Sequence, residues 1–219
     1  MIKYLLYTLF LTVAINPEIF GQDDLLKGKE IYSSNFIIDG VTRNFTYYMP
    51  RHFGEKEQYP LLIFLHGTSS SSKQIIKNYG DQLHAKADEY DCIILYPDAV
   101  SGKWNAFSDK DSASRNHIND AGFFSILIEY FINQYHADAK HVYVAGINNG
   151  GEMAYQLACN SPYKIAAIVP FAITTEVAVK CNNTSVVIAM NTLKFGLHNN
   201  FIFSDSAINE MWNFLINGK

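Results

Sequence analysis

The chain sets short, wholly apolar runs between longer stretches in which apolar residues recur at helical spacing. The apolar runs fall at residues 61–65, 92–96, 142–145, 165–171 and 185–190. Runs this short, with no polar alternation, read as strands buried on both faces. Between them, residues 74–90 place Ile75, Ile76, Tyr79, Leu83 and Ala87 near helical spacing. Residues 120–135, 152–159 and 204–215 predict three further helices, the last carrying an Ile208, Met211, Trp212, Leu215 stripe. Ahead of the first buried run, residues 36–38 and 45–48 flank Asp39-Gly40. That dipeptide accepts the positive φ angles of a tight hairpin turn. The whole pattern predicts an α/β protein: a mostly parallel sheet covered by helices, with an antiparallel hairpin at its start. Residues 97–116 are polar and irregular, and no repeat, low-complexity tract or linker divides residues 22–219, so one domain is expected.

The N-terminus departs from this pattern. One lysine, Lys3, precedes an uncharged stretch over residues 4–15, which Asn16-Pro17 ends. Gly21 then offers a small residue ahead of Gln22-Asp23-Asp24. This is the layout of a secretory signal peptide over residues 1–21, set against the alternative of a buried N-terminal element. The stretch falls short of the about 20 residues that a spanning helix needs, so no stable membrane span is expected. A net charge of −4 with scattered lysines and arginines excludes the basic stripe of a nucleic-acid-binding protein. Export permits a disulfide among Cys92, Cys159 and Cys181, whose spacing fits no zinc pattern, and no cofactor is called for. Cys92 lies in an apolar run and reads as a buried thiol. Cys159 and Cys181 fall where a helix end and a later loop can meet.

The candidate chemistry lies at Gly146-Ile147-Asn148-Asn149-Gly150-Gly151, between the strand of residues 142–145 and the helix of residues 152–159. A strand, a tight glycine-rich turn and a helix make a nucleophile elbow, in which a serine stands on a strained turn. Position 148, where the serine belongs, is Asn, and an amide is a poor nucleophile. The backbone N–H of Asn149 would face a developing oxyanion from the helix N-terminus. The second donor is expected from the loop after the first long strand, His66-Gly67-Thr68-Ser69, at Thr68 or Ser69. The side chain of His66 reads as a loop histidine bonded locally, and residues 69–72 as a polar loop. Asp98 reads as a turn residue and Asp120 as an N-cap or early helix acid. Trp104, Phe107, Tyr130 and Tyr135 fit either a carbohydrate-binding surface or core packing, with packing the commoner use.

Several pieces in order carry a family resemblance: Tyr48-Met49-Pro50, the run from Pro60 through His66-Gly67, Tyr96-Pro97-Asp98, Trp104-Asn105, Asn119-Asp120-Ala121-Gly122-Phe123 and the elbow with its flanks. On them the chain resembles the secreted polyhydroxybutyrate depolymerase and feruloyl/acetylxylan esterase group of α/β-hydrolases. The resemblance covers about two-thirds of the chain, from Arg43 to about Met190. It implies an α/β-hydrolase fold, a Ser-His-Asp triad, two backbone oxyanion donors, an ester substrate that is often a polymer, and often a disulfide of the Cys159–Cys181 kind.

Three departures from the family pattern shape the functional expectation. The family serine falls on Asn148, and the family acid falls on Lys194 in Met190-Asn191-Thr192-Leu193-Lys194. The fold is shortened at its C-terminal end, where Gly196-Leu197-His198 follows almost at once; His198 matches the family base. Removing a triad nucleophile costs on the order of 10⁶ in turnover. The expectation is therefore a secreted member of an ester-hydrolase family with impaired catalysis. The alternatives are a hydrolase with an unorthodox nucleophile, a polymer- or glycan-binding pseudoenzyme, and a decayed, truncated member.

Overall fold

The apolar run Tyr59–Leu65 forms β3, the middle strand of a seven-stranded sheet. A computed structural model describes residues 30–106, 118–163, 165–172, 187–188 and 205–217. The elements run β1 (Ile31–Ile38), β2 (Val41–Tyr48), β3, α1 (Ser72–Tyr90), β4 (Ile93–Pro97), α2 (Asp120–Tyr135) and β5 (Ala137–Ile147). They continue as α3 (Asn149–Asn160), β6 (Ala167–Phe171), β7 (Val187–Ile188) and α4 (Asp205–Asn217). The strand order is β1-β2-β4-β3-β5-β6-β7. β1 and β2 form the expected hairpin, with Asp39 and Gly40 at φ 52° and 75°, and β2 lies antiparallel to β4. From β4 to β7 every neighbouring pair is parallel.

Side chains of a strand alternate between faces, so each buried strand feeds two cores. Leu61, Ile63 and Leu65 of β3 join Phe123, Phe124, Leu127, Ile128 and Phe131 of α2 and Met153, Ala154 and Leu157 of α3. Leu62 and Phe64 face the other way, onto Ile75, Leu83 and Ala87 of α1 and the Ile208, Met211, Trp212, Leu215 stripe of α4. α2 and α3 therefore cover one face and α1 and α4 the other, as the continuous apolar strands required. Trp104 is fully buried and Tyr130 and Tyr135 pack on the same core, so these aromatics serve packing; Phe107 lies outside the described residues.

The element bounds follow from local bonds. Ser71, in the stretch expected to be only a polar loop, caps α1: its side chain accepts the Gln74 N–H. Asp98 does more than make a turn, since its carboxylate accepts the backbone N–H of Ser72 at 2.7 Å and the Ser72 hydroxyl at 2.8 Å, tying β4 to the start of α1. Asn119 is the N-cap of α2, so Asp120 is its first helical residue rather than its cap. The Asp120 carboxylate is buried and paired with the buried guanidinium of Arg43 from β2. Its second oxygen accepts the Asn105 N–H at 2.7 Å, and Arg43 stacks over the Phe123 ring.

Two measurements test this framework. Breaking a buried ion pair from one side leaves an uncompensated charge and costs about 3–5 kcal/mol. Arg43→Met is expected to lower denaturant stability by about that amount, and Arg43→Met with Asp120→Leu to recover most of it. His84 of α1 stacks on the Tyr48 ring at 3.9 Å, and its Nε2 is buried without a partner among the described residues. Burial pushes its pKa down to about 4, against the opposing pull of Asp88, Asp81 and Glu30. Between about 6.5 and 4 the unfolded chain therefore holds a proton that the folded one does not. The stability from neutral His84 is complete above about 6.5 and drains as pH falls towards 4. Denaturant midpoints measured across that window should fall less steeply in His84→Phe, which keeps the stack and removes the proton.

Candidate active site

The turn from β5 into α3 is made at Asn148, whose φ of 53° and ψ of −120° lie far from the regions open to most residues. A non-glycine residue held this way costs on the order of 1–3 kcal/mol and persists only where its surroundings impose it. Here two glycines and a backbone bond impose it. A Cβ on Gly146 would overlap the Gly150 carbonyl, so strand and helix pass closer than any side chain permits. A Cβ on Gly150 would stand 2.6 Å from the carbonyl oxygens of Leu65 and His66, so α3 also presses on the end of β3. The Asn148 N–H donates to the Phe171 carbonyl at 2.8 Å, which fixes the turn to the end of β6. The elbow expected from the six-residue motif is present, with its strain, under an Asn.

The Asn148 side chain folds over the turn. Its Oδ1 accepts the backbone N–H of Asn149 at 2.6 Å. That N–H is the donor expected to face an oxyanion, and here it is occupied by the side chain at the nucleophile position. On the facing loop, the Ser69 N–H donates to the Gly102 carbonyl at 2.9 Å. Of the two expected donors this leaves Thr68, whose N–H makes no bond among the described residues and whose side chain is exposed. Gly67 brings this loop against the elbow: a Cβ there would meet the Ile147 carbonyl at 3.2 Å and the Asn148 Cβ at 3.5 Å.

A buried hydrogen-bond lattice holds the two loops in register. Trp104 donates its backbone N–H to Asn149 Oδ1 at 2.7 Å and its indole N–H to the His66 carbonyl at 2.9 Å. Asn149 Nδ2 donates on to Glu152 at 3.2 Å. His66 is buried, bonds the Gly67 carbonyl through Nδ1 and accepts the Ala99 N–H at Nε2. Burial lowers its pKa, more than the Gly67 carbonyl and Asp98 raise it, so the ring is neutral. Both ring nitrogens are engaged, as a loop-holding histidine requires, and neither is open to act as a base.

The remaining sequence expectations sort by location. Asp98 and Asp120 are both committed to holding elements together, at Ser72 and at Arg43 and Asn105. Cys92 is a free, buried thiol, as its apolar run implied. Cys159 is buried at the end of α3. Its expected partner Cys181, the expected base His198, Lys194 at the acid position and residues 1–21 lie outside the described residues. The role of Trp104 in joining His66 to Asn149 had no signal in the sequence beyond its place in the matching order of motifs. No described helix is long and apolar enough to cross a membrane.

The chain is similar to several known proteins. A feruloyl esterase B of Talaromyces stipitatus is 30% identical over 127 residues, covering 57% of this chain and 34% of that protein. A poly(3-hydroxybutyrate) depolymerase of Ralstonia pickettii is 33% identical over 119 residues, covering 49% and 24% respectively. An acetylxylan esterase A of Emericella nidulans is 23% identical over 172 residues, covering 78% and 55%. The chain thus spans between about a quarter and just over half the length of these relatives. Among solved structures, an S-formylglutathione hydrolase of Staphylococcus aureus superposes with a TM-score of 0.51 at 18% identity, over 84% of this chain and 66% of that one. An acetyl xylan esterase from Aspergillus awamori superposes with a TM-score of 0.50 at 18% identity, over 63% of this chain and 50% of that one. At such identities these superpositions establish the fold, an α/β-hydrolase. The model of the PHB depolymerase esterases matches residues 44–211, most of the chain and every element of the elbow, and the protein belongs to that family.

Proposed function

We propose that this chain is a secreted member of the esterase family that retains the acyl-binding frame of an ester hydrolase but is impaired in turnover. One observation carries the reading: the residue on the strained elbow is Asn148, and its own amide oxygen occupies the Asn149 N–H. A serine there would attack an ester carbonyl while that N–H received the developing charge. An amide has no comparable nucleophile and competes for the donor. Lys194 at the family's acid position supports the same conclusion, because a cation cannot orient and stabilise an imidazolium as a carboxylate does. His198 is the residue assigned to the base. The ligand class is an ester, within a polymer or a glycan-linked acyl group, after the feruloyl, acetylxylan and polyhydroxybutyrate substrates in the relatives' names.

Export over residues 1–21 and a Cys159–Cys181 disulfide belong to this reading. Their support is the uncharged stretch behind Lys3, and a Cys159 buried at the end of α3 while Cys92 is a free thiol. The intact cores on both faces of the sheet support a maintained scaffold over a decayed one.

Hydrolysis of a short-chain nitrophenyl ester tests the proposal. Freshly purified wild-type protein is expected at background. Asn148→Ser alone should stay low, and Asn148→Ser with Lys194→Asp should exceed both, recovering part of the on the order of 10⁶ that a complete triad supplies. Wild-type turnover that Asn148→Ala abolishes would overturn the reading. Retention on polyhydroxybutyrate or xylan measures binding without turnover; failure on both removes the polymer-binding form of the proposal.

A further inference from the structure

The elbow geometry has a second chemical meaning once an Asn occupies it. In an L-residue the Cβ stands about 120° from the backbone nitrogen around the Cα–C bond, on the side reached at negative ψ. The ψ of −120° at Asn148 therefore eclipses its Cβ with the backbone nitrogen of Asn149. That eclipsed arrangement is the one a five-membered ring through Cα, Cβ, Cγ, the Asn149 nitrogen and the Asn148 carbonyl carbon must have. In a helix, with ψ near −42°, or an extended strand, near +135°, the same atoms stand well apart in torsion, and reaching the ring requires backbone rotation. At the elbow the rotation has already been made, enforced by Gly146, Gly150 and the Phe171 carbonyl. The side-chain amide is turned towards that nitrogen as well, with Oδ1 2.6 Å from it.

We propose that Asn148 is a modification site, at which the side-chain amide closes onto the Asn149 backbone nitrogen and the chain deamidates. The Asn149 nitrogen loses its proton and bonds to Cγ. The Cγ–Nδ2 bond then breaks, and the amide leaves as ammonia carrying that proton. Water opens the resulting succinimide at one of its two carbonyl carbons. Opening at the side-chain carbonyl gives an aspartyl residue at 148; opening at the main-chain carbonyl gives an isoaspartyl one. No oxidant or reductant takes part. The attacking N–H is at the first position of α3, where no intrahelical acceptor holds it, and the helix N-terminus favours the charge that develops there. The leaving Nδ2 makes no hydrogen bond among the described residues.

The neighbouring site supplies a sharp contrast. By sequence, Asn149-Gly150 is the more labile pair, because glycine leaves the attacking nitrogen unhindered. In the fold Asn149 is a buried residue of α3, its Oδ1 held by the Trp104 N–H and its Nδ2 by Glu152. Its helical ψ keeps Cβ away from the Gly150 nitrogen. Folding should thus protect position 149 and expose position 148 to cyclisation, reversing the order found in the unfolded chain.

Peptide mapping decides it. Wild-type protein is incubated in ¹⁸O-labelled water at mildly alkaline pH, folded in buffer and unfolded in urea, and mass gain is followed separately at positions 148 and 149. Pre-setting the ring torsion is a proximity effect, so deamidation at 148 should be at least about tenfold faster folded than unfolded. It should yield aspartyl and isoaspartyl forms, while 149 reacts mainly in urea. Slower reaction at 148 in the folded protein, or reaction mainly at 149 in both states, overturns the proposal. Asn148→Ala should abolish the folded-state mass gain, and its persistence would equally overturn it. The proposal does not depend on whether the freshly purified protein turns over esters.

Discussion

The chain turns from β5 into α3 within a single residue, and the site depends on that turn. Space allows nothing gentler: Gly146 lies against the Gly150 carbonyl, and Gly150 against the carbonyls of Leu65 and His66. With strand, helix and neighbouring strand end packed this closely, residue 148 has to take a positive φ whatever its side chain. The strain is thus a property of the packing rather than of the catalytic residue, and it is present here although the serine is not.

Around this turn the hydrolase frame divides into two physical parts. The first is backbone geometry: the Asn149 N–H at the mouth of α3, the Thr68 N–H on the facing loop, and the lattice of His66, Trp104 and Asn149 that holds the loops together. The lattice is built from buried, mutually satisfied groups, and disturbing any one leaves another unpaired in a low dielectric. The second part is the chemistry of individual side chains, which the fold does not need. Asn148 changes the second part and leaves the backbone of the first in place, although its Oδ1 takes up the Asn149 N–H. An Asn on a serine's strained turn then acquires properties of its own, because the torsion that exposes a serine also aligns an amide with the next backbone nitrogen.

Much of this was legible in the chain. α2 has the bounds its pattern predicted, 120–135, because its apolar face is continuous and Asn119 gives a clear start. α3 begins three residues earlier than its pattern suggested, at Asn149, because the elbow glycines hide the first turn. β5 begins at Ala137, well ahead of the expected 142, because Ala137 pairs with Tyr59 across a register shift while Asp138, Lys140 and His141 between are polar. Arg43 and Asp120, 77 positions apart, look like ordinary charges until β2 and α2 bring them together. Ser72 and Asp98 likewise gain their roles only when β4 lies beside the start of α1.

By itself the sequence determined the architecture, the place of the elbow and the absence of a serine on it. Hydrophobic period and glycine placement are local properties, and local spacing suffices to express them. The tertiary structure alone decided which N–H groups around the elbow are free, that Asp98 and Asp120 are committed to structure, and that the Asn148 amide bends onto the Asn149 nitrogen. These are questions of direction and distance between groups far apart in the chain, or of one torsion angle that packing from three strands and a helix imposes.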